Sequence, residues 1–287
     1  MSRLKLIPEK YKDRLSNTVK IKALNVLGKG LREVPQGQVP LDSSFYVERI
    51  AIESSCYQAV VQPGALIRIK GARQMGKSSL LARIIHFASQ QGYKTVLLDF
   101  QTFDNEIFSD SDSFLKQLCI SISRVLGLPN QINTYWDDIF GSNYNFIDYL
   151  EQHILSNYEE PLVLAIDEMD KIFKYPEVAT DFLQLLRGIH EQSKFSSLSW
   201  AKLRLVLTHA EENYFQLDIN ASPFNNVGFP ILLHEFTDTQ VIDLSKRHGL
   251  NLSNDQVESL MQMFGGHPYL VRVALRSEER RVGKECR

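Results

Sequence analysis

Ala65–Leu81 reads ALIRIKGARQMGKSSLL, and the interpretation of this stretch decides the fold. Ala65 to Ile69 is apolar except for Arg68, which suits a buried strand. Gly71, Gly76, Lys77 and Ser78 then stand in the spacing G-x-x-x-x-G-K-[ST], and Leu80, Leu81 and Ile84 follow at helical spacing. Strand, glycine loop and helix together predict a phosphate-binding loop. Its glycines let the chain curl so that main-chain N–H groups point inward, and the next helix offers the positive end of its dipole. The expected phosphate contacts are Gly71, Ala72, Arg73, Gln74, Met75, Gly76, Lys77, Ser78 and Ser79. Lys77 is expected at the β- and γ-phosphates, and the Ser78 hydroxyl at Mg²⁺.

Hydrolysis requires carboxylates as well. Leu162 to Ile166 (LVLAI) reads as a strand, followed at once by Asp167 and Glu168. At the carboxyl end of a strand next to the loop strand, Asp167 would hold magnesium and Glu168 would polarise the attacking water. Asp170 in the same run reads as a helix cap. Leu203 to Leu207 forms a further strand ending in Thr208-His209, where Thr208 would stand between the carboxylates and the γ-phosphate and report its presence. The seven histidines have no metal-ligand spacing, so His209 is not expected to be a ligand. Gly265-Gly266-His267-Pro268 makes a sharp turn between helices, and it or Arg272 would approach the nucleotide from a lid.

The charge is unevenly spread. Residues 1–33 hold nine Lys or Arg against three acids, about +6, although the whole chain is −2. Such an arm suits nucleic acid, an acidic partner or a solvated basic face. Cys56, Cys119 and Cys286 lie far apart and show neither zinc spacing nor a disulfide framework, which predicts a reducing cytoplasm. No signal-peptide pattern opens the chain and no apolar run could span a membrane.

Apolar strands are expected at Thr95–Phe100, Leu162–Ile166, Leu203–Leu207 and Pro230–Leu233 besides the first. Helices are expected at Lys77–Gln91, Phe114–Leu126, Pro176–Gln192 and Thr237–His248, and across the aromatic stretches Trp136–Phe140 and Phe146–Leu155. The alternation predicts an α/β fold: a five-stranded parallel sheet covered on both faces, with a small C-terminal helical lid. The expected domains are a basic arm and linker (1–40), a P-loop core (41–236) and the lid (237–275). The tail 276–287, RSEERRVGKECR, is polar and aperiodic and reads as a translated vector junction, so a native chain is expected to continue differently beyond Leu275.

GARQMGKSSLL, LAIDEMDKIF, LRLVLTHAE, SPFNNVG and GGHPYLVRVAL, in this order, resemble the AAA-like ATPase domain found widely in bacteria. That domain is related to the STAND signal-transduction ATPases and to the origin-recognition and archaeal ATPase branch. The resemblance covers about Leu41 to Leu275. It implies ATP and ADP as ligands with Mg²⁺, and it puts Val47, Glu48 and Arg49 against the adenine. Ring-forming relatives carry an arginine finger near the helix after the fourth strand, and no arginine stands between Arg204 and Arg247. Arg187 could act in trans but also reads as a surface charge. The resemblance therefore implies a slow switch rather than a motor, with an effector domain or protein partner downstream. A nucleotide-holding scaffold, or an ATPase stimulated by nucleic acid through residues 1–33, are the alternatives.

Overall fold

Alternate residues of strand β1 (Leu66–Gly71) enter two different cores: Leu66 on one side, Ile67 and Ile69 on the other. The computed structural model describes residues 33–195, 198–210 and 227–285, so the basic arm and most of SPFNNVG lie outside the described residues. These residues form two compact units, Arg49–His234 and the residues flanking it on either side.

The first unit is built on a five-stranded sheet of β1, β2 (Lys94–Asp99), β3 (Leu162–Asp167), β4 (Leu203–Ala210) and β5 (Phe229–Leu232). Its order is β2-β3-β4-β1-β5, and every neighbouring pair is parallel. Helices α1 (Ile50–Val60) and α2 (Lys77–Gln90) cover one face, where Cys56, Val60, Leu80, Leu81 and Ile84 meet Ile67, Val163, Ala165 and Val206. Helix α3 (Ser111–Leu126) lies in the opposite core. There Phe100, Phe108, Phe114 and Phe182 form an edge-to-face cluster against Leu164, Ile166, Leu205 and Leu207. Asp110 caps α3 by accepting the Ser113 N–H at 2.8 Å, and Gly127 ends it with φ +71°.

Two local expectations are corrected. The strand carrying Asp167 is not next to the loop strand, because β4 lies between β3 and β1. All eight residues of β4 are buried, which suits the centre of the sheet. Trp136–Phe140 is not helical. α4 (Ile132–Tyr135) ends before it, and α5 (Ser142–Asp148) starts after it and leads into a π-helical turn, Tyr149–Ile154. Polar side chains stabilise the break: the Trp136 indole donates to Asp112 at 2.9 Å, and Asn145 donates to the carbonyls of Asp137 and Phe140. Helix α6 (Pro176–Phe195) follows, and then the short α7 (Leu198–Ala201) precedes β4.

The second unit contains α8 (Asp238–Arg247), α9 (Asn254–Phe264) and α10 (Pro268–Glu285). Thr237 with Gln240, and Ser253 with Gln256, close reciprocal capping boxes on α8 and α9. α10 runs past the expected end of the lid at Leu275 and into the tail: Arg276 to Glu285 is helical.

Residues 44–48, expected in the P-loop core, pack within this helical unit. Arg247 donates to the carbonyls of Ser44 and Tyr46, and the Phe45 ring stacks on His248 at 4.3 Å. Val47 joins Val241, Leu244 and Val271 in the unit's core. Among the described residues no helix is long and apolar enough to cross a membrane.

Candidate active site

In a parallel sheet every strand presents its carboxyl end at the same edge, so the loop after β1, Asp167 at the end of β3 and Thr208 in β4 converge there. Ile166 pairs with Leu207, which sets Asp167 and Thr208 at the next level of adjacent strands. The Thr208 hydroxyl, fully buried, donates to Oδ1 of Asp167 and accepts the Glu168 N–H at 3.1 Å. Glu168 N–H is also shared with Asp167 Oδ1 at 3.1 Å. These bonds hold Glu168 in a left-handed conformation, φ +52°, which a glutamate adopts only at a cost of about 1–3 kcal/mol.

The electrostatics of Glu168 place it among charges. Burial raises its carboxyl above the usual glutamate range, Asp170 and Asp167 push in the same direction, and Lys77 opposes them. Asp170 is not a cap, since its Oδ1 accepts the Ala210 N–H at 3.1 Å and thereby ties the turn after β3 to the end of β4. Asp99 adds a further negative charge from the end of β2, where it is paired in register with Asp167. The signal for Asp99 was its position, a carboxylate closing an apolar strand.

The loop is folded as its glycines allow. Gly76 has φ +97° and Gln74 +61°. Lys77 is 5% exposed, and its ammonium donates to the carbonyls of Gly71 at 3.1 Å and Ala72 at 2.9 Å. Arg73 and Gln74 are exposed, whereas Met75 and Ser79 are buried. Ser78 is half-buried in the first turn of α2.

Arg49, expected beside adenine, directs its guanidinium to the loop, donating to Met75 O at 3.1 Å and His234 O at 3.2 Å. His209 faces Phe173 with its Nδ1 against the Ala210 carbonyl, and burial lowers its pKa to about 4. Val47, Glu48, His267, Pro268 and Arg272 belong to the helical unit. There Arg272 pairs with Glu33 at 2.5 Å and lies over the Phe45 ring.

Ser78 and Asp167 carry hard oxygen donors of the kind magnesium takes, and such a cation commonly binds one or two protein oxygens with the remainder from phosphate and water. Among the described residues no group of three or more His, Cys, Asp or Glu could hold a metal by itself.

Comparison with known proteins assigns the chain to a family. A WD repeat-containing protein of Synechocystis is 27% identical in an alignment 229 residues long that covers 74% of this chain and 18% of that protein. The chain therefore spans only a small part of that relative. The Aeropyrum pernix ORC2 protein, solved in ADPNP–ADP complexes, superposes with a TM-score of 0.51 at 16% identity, covering 84% of this chain and 62% of that one. The Aeropyrum pernix ORC1 protein in complex with DNA superposes with a TM-score of 0.50 at 17% identity, covering 84% and 63%. These structures share the fold. The family model described as an AAA-like domain matches residues 34–282, and the chain belongs to that family.

Proposed function

We propose that the chain is an ATP-binding switch that hydrolyses ATP slowly to ADP and couples its nucleotide state to movement of the helical unit and recruitment of a partner. The observation that carries this reading is the closed set of hydrogen bonds among Thr208, Asp167 and Glu168, with the charge of Lys77 felt at Glu168. The ADPNP–ADP complexes of the ORC2 protein, which shares the fold, support adenine nucleotide as the ligand.

Lys77 would exchange its carbonyl partners for phosphate oxygens, and the loop amides would bind the β-phosphate. Ser78 and Asp167 would hold magnesium, which when bound neutralises charge on the β- and γ-phosphates. Glu168 would accept a proton from a water whose oxygen attacks the γ-phosphorus as the bond to the β-phosphate oxygen breaks. Its raised pKa suits this work, because a base is most effective near its operating pH. Thr208 would hold that carboxylate in register. Slow turnover fits the lack of an arginine between Arg204 and Arg247, and Arg187 pairs with Glu191 on its own helix at 2.8 Å.

The test is a pair of variants assayed for binding and phosphate release. Lys77→Ala should lose nucleotide binding, while Glu168→Gln should bind ATP and retain it unhydrolysed. Equal turnover by wild type and Glu168→Gln would remove the assigned role of that carboxylate.

The basic charge of residues 1–33 favours a second reading, stimulation by nucleic acid. The DNA complex of the ORC1 protein is a parallel on the same fold. Turnover that single- and double-stranded DNA leave unchanged, with or without residues 1–33, would dismiss it.

A further inference from the structure

The chain passes between its two units twice, at Glu48–Arg49 and at His234–Glu235. Arg49 and His234 are thus the first and last residues of the α/β unit, 185 positions apart, yet the Arg49 guanidinium donates to the His234 carbonyl. The same Nη2 donates to the carbonyl of Met75, two residues before Lys77 in the phosphate loop. All three residues lie within the α/β unit.

The arrangement is fixed from both sides. The Arg49 main-chain N–H donates to Glu53 Oε1 at 2.8 Å and its carbonyl accepts the Glu53 N–H at 2.9 Å, so the residue is anchored at the start of α1. Glu53 is itself 7% exposed. A Cβ on Gly76 would come within 3.5 Å of Arg49 Nη1, so the guanidinium lies against the loop just before its lysine. At the loop's other end, a Cβ on Gly71 would lie 3.2 Å from both Cβ and O of Leu233, and the Leu233 N–H donates to the Lys70 carbonyl at 2.8 Å. The loop is therefore bracketed by the two segments at which the chain leaves the α/β unit.

We infer that Arg49 is a positioning residue that joins the phosphate loop to both crossings, so that phosphate binding at the loop is read out at residues 49 and 234. This rests on the proposed nucleotide site but assigns Arg49 a task distinct from contact with the base. A planar guanidinium fixed at its root can serve two carbonyls at once. A lysine at the same place keeps the charge but lacks the planar, pre-oriented Nη2 group that makes both bonds.

Hydrogen exchange and binding of ATP, GTP and inorganic triphosphate, measured on the full chain and on Arg49→Lys, test the inference. Without ligand, amides of residues 75–78 and 233–235 should exchange faster in Arg49→Lys. In the wild type, nucleotide should slow exchange at 233–235, and in Arg49→Lys that coupling should disappear. Binding of all three ligands should weaken by a similar factor, about tenfold, as expected for loss of roughly one hydrogen bond to a charged donor.

A loss confined to ATP would make Arg49 a base contact and overturn the inference. So would wild-type exchange at 75–78 in Arg49→Lys, or coupling to 233–235 that survives the substitution. If the wild type binds nucleotide in a Lys77-dependent way yet shows no protection at 233–235, the nucleotide reading stands and the inference falls. If the wild type binds none of the three ligands, both fall.

Discussion

The Thr208 hydroxyl donates to the Asp167 carboxylate from an adjacent strand, joining the end of β3 to β4 across 41 residues of sequence. The same oxygen receives the Glu168 N–H, so one side chain orients both carboxylate residues. Thr208→Val keeps the shape and removes the hydroxyl, leaving Asp167 short of a donor at a cost of about 1–3 kcal/mol. In a turnover assay kcat should fall about 10-fold or more with little change in KM, and Thr208→Ser should recover most of the loss.

Glu168 ionises against burial and three neighbouring acids, Asp170, Asp167 and Asp99, so its folded pKa stands above the unfolded value. A group shifted this way favours the folded state when protonated, and that stability is lost as pH rises through the folded pKa. Glu168→Gln should therefore raise the urea midpoint at pH 7 relative to wild type and show little difference near pH 4. The acid limb of kcat should lie above the ordinary glutamate range, and Asp170→Asn should move it to lower pH by removing one of the charges that raise it.

His209 shows the opposite dependence. Its folded pKa of about 4 lies below the ordinary 6.5, because burial disfavours the imidazolium. Below pH 6.5 the unfolded chain takes up a proton that the folded chain refuses. Stability is then full above 6.5 and declines down to about pH 4, by roughly 3 kcal/mol. Urea titrations of His209→Phe between these limits should show a shallower fall than wild type.

The turn between α9 and α10 separates conformational strain from steric exclusion. Gly265 (φ +60°) has open space where a Cβ would stand, whereas a Cβ on Gly266 (φ +76°) would be 2.2 Å from the Phe236 carbonyl oxygen. Gly265→Ala should cost about 1–2 kcal/mol for the left-handed backbone alone. Gly266→Ala should cost upwards of about 3 kcal/mol, because main chain must move as well. Circular dichroism melts of the two variants compare them directly.

Local pattern carried much of the fold. Strand cores such as LVLAI and helical stretches such as Phe114–Leu126 and Thr237–His248 act over a few residues, and each appears as an element close to its expected place. The break at Trp136–Phe140 was hidden because an aromatic run fits a helix until Asp112 and Asn145 offer competing bonds. The helix through Arg276–Glu285 was hidden for a related reason: a polar, aperiodic stretch has no apolar face to reveal it.

The sequence by itself determined the loop, the carboxylate pair and the alternation that makes the sheet parallel, since motif spacing and periodicity are properties of neighbouring residues. Only the tertiary structure decided that β4 separates the loop strand from Asp167, that Val47 packs with the helical unit, and that Arg49 serves Met75 and His234. Those outcomes depend on contacts between residues 26 to 224 positions apart, from Arg49–Met75 to Val47–Val271, and such contacts are chosen by packing the whole chain rather than by any segment of it.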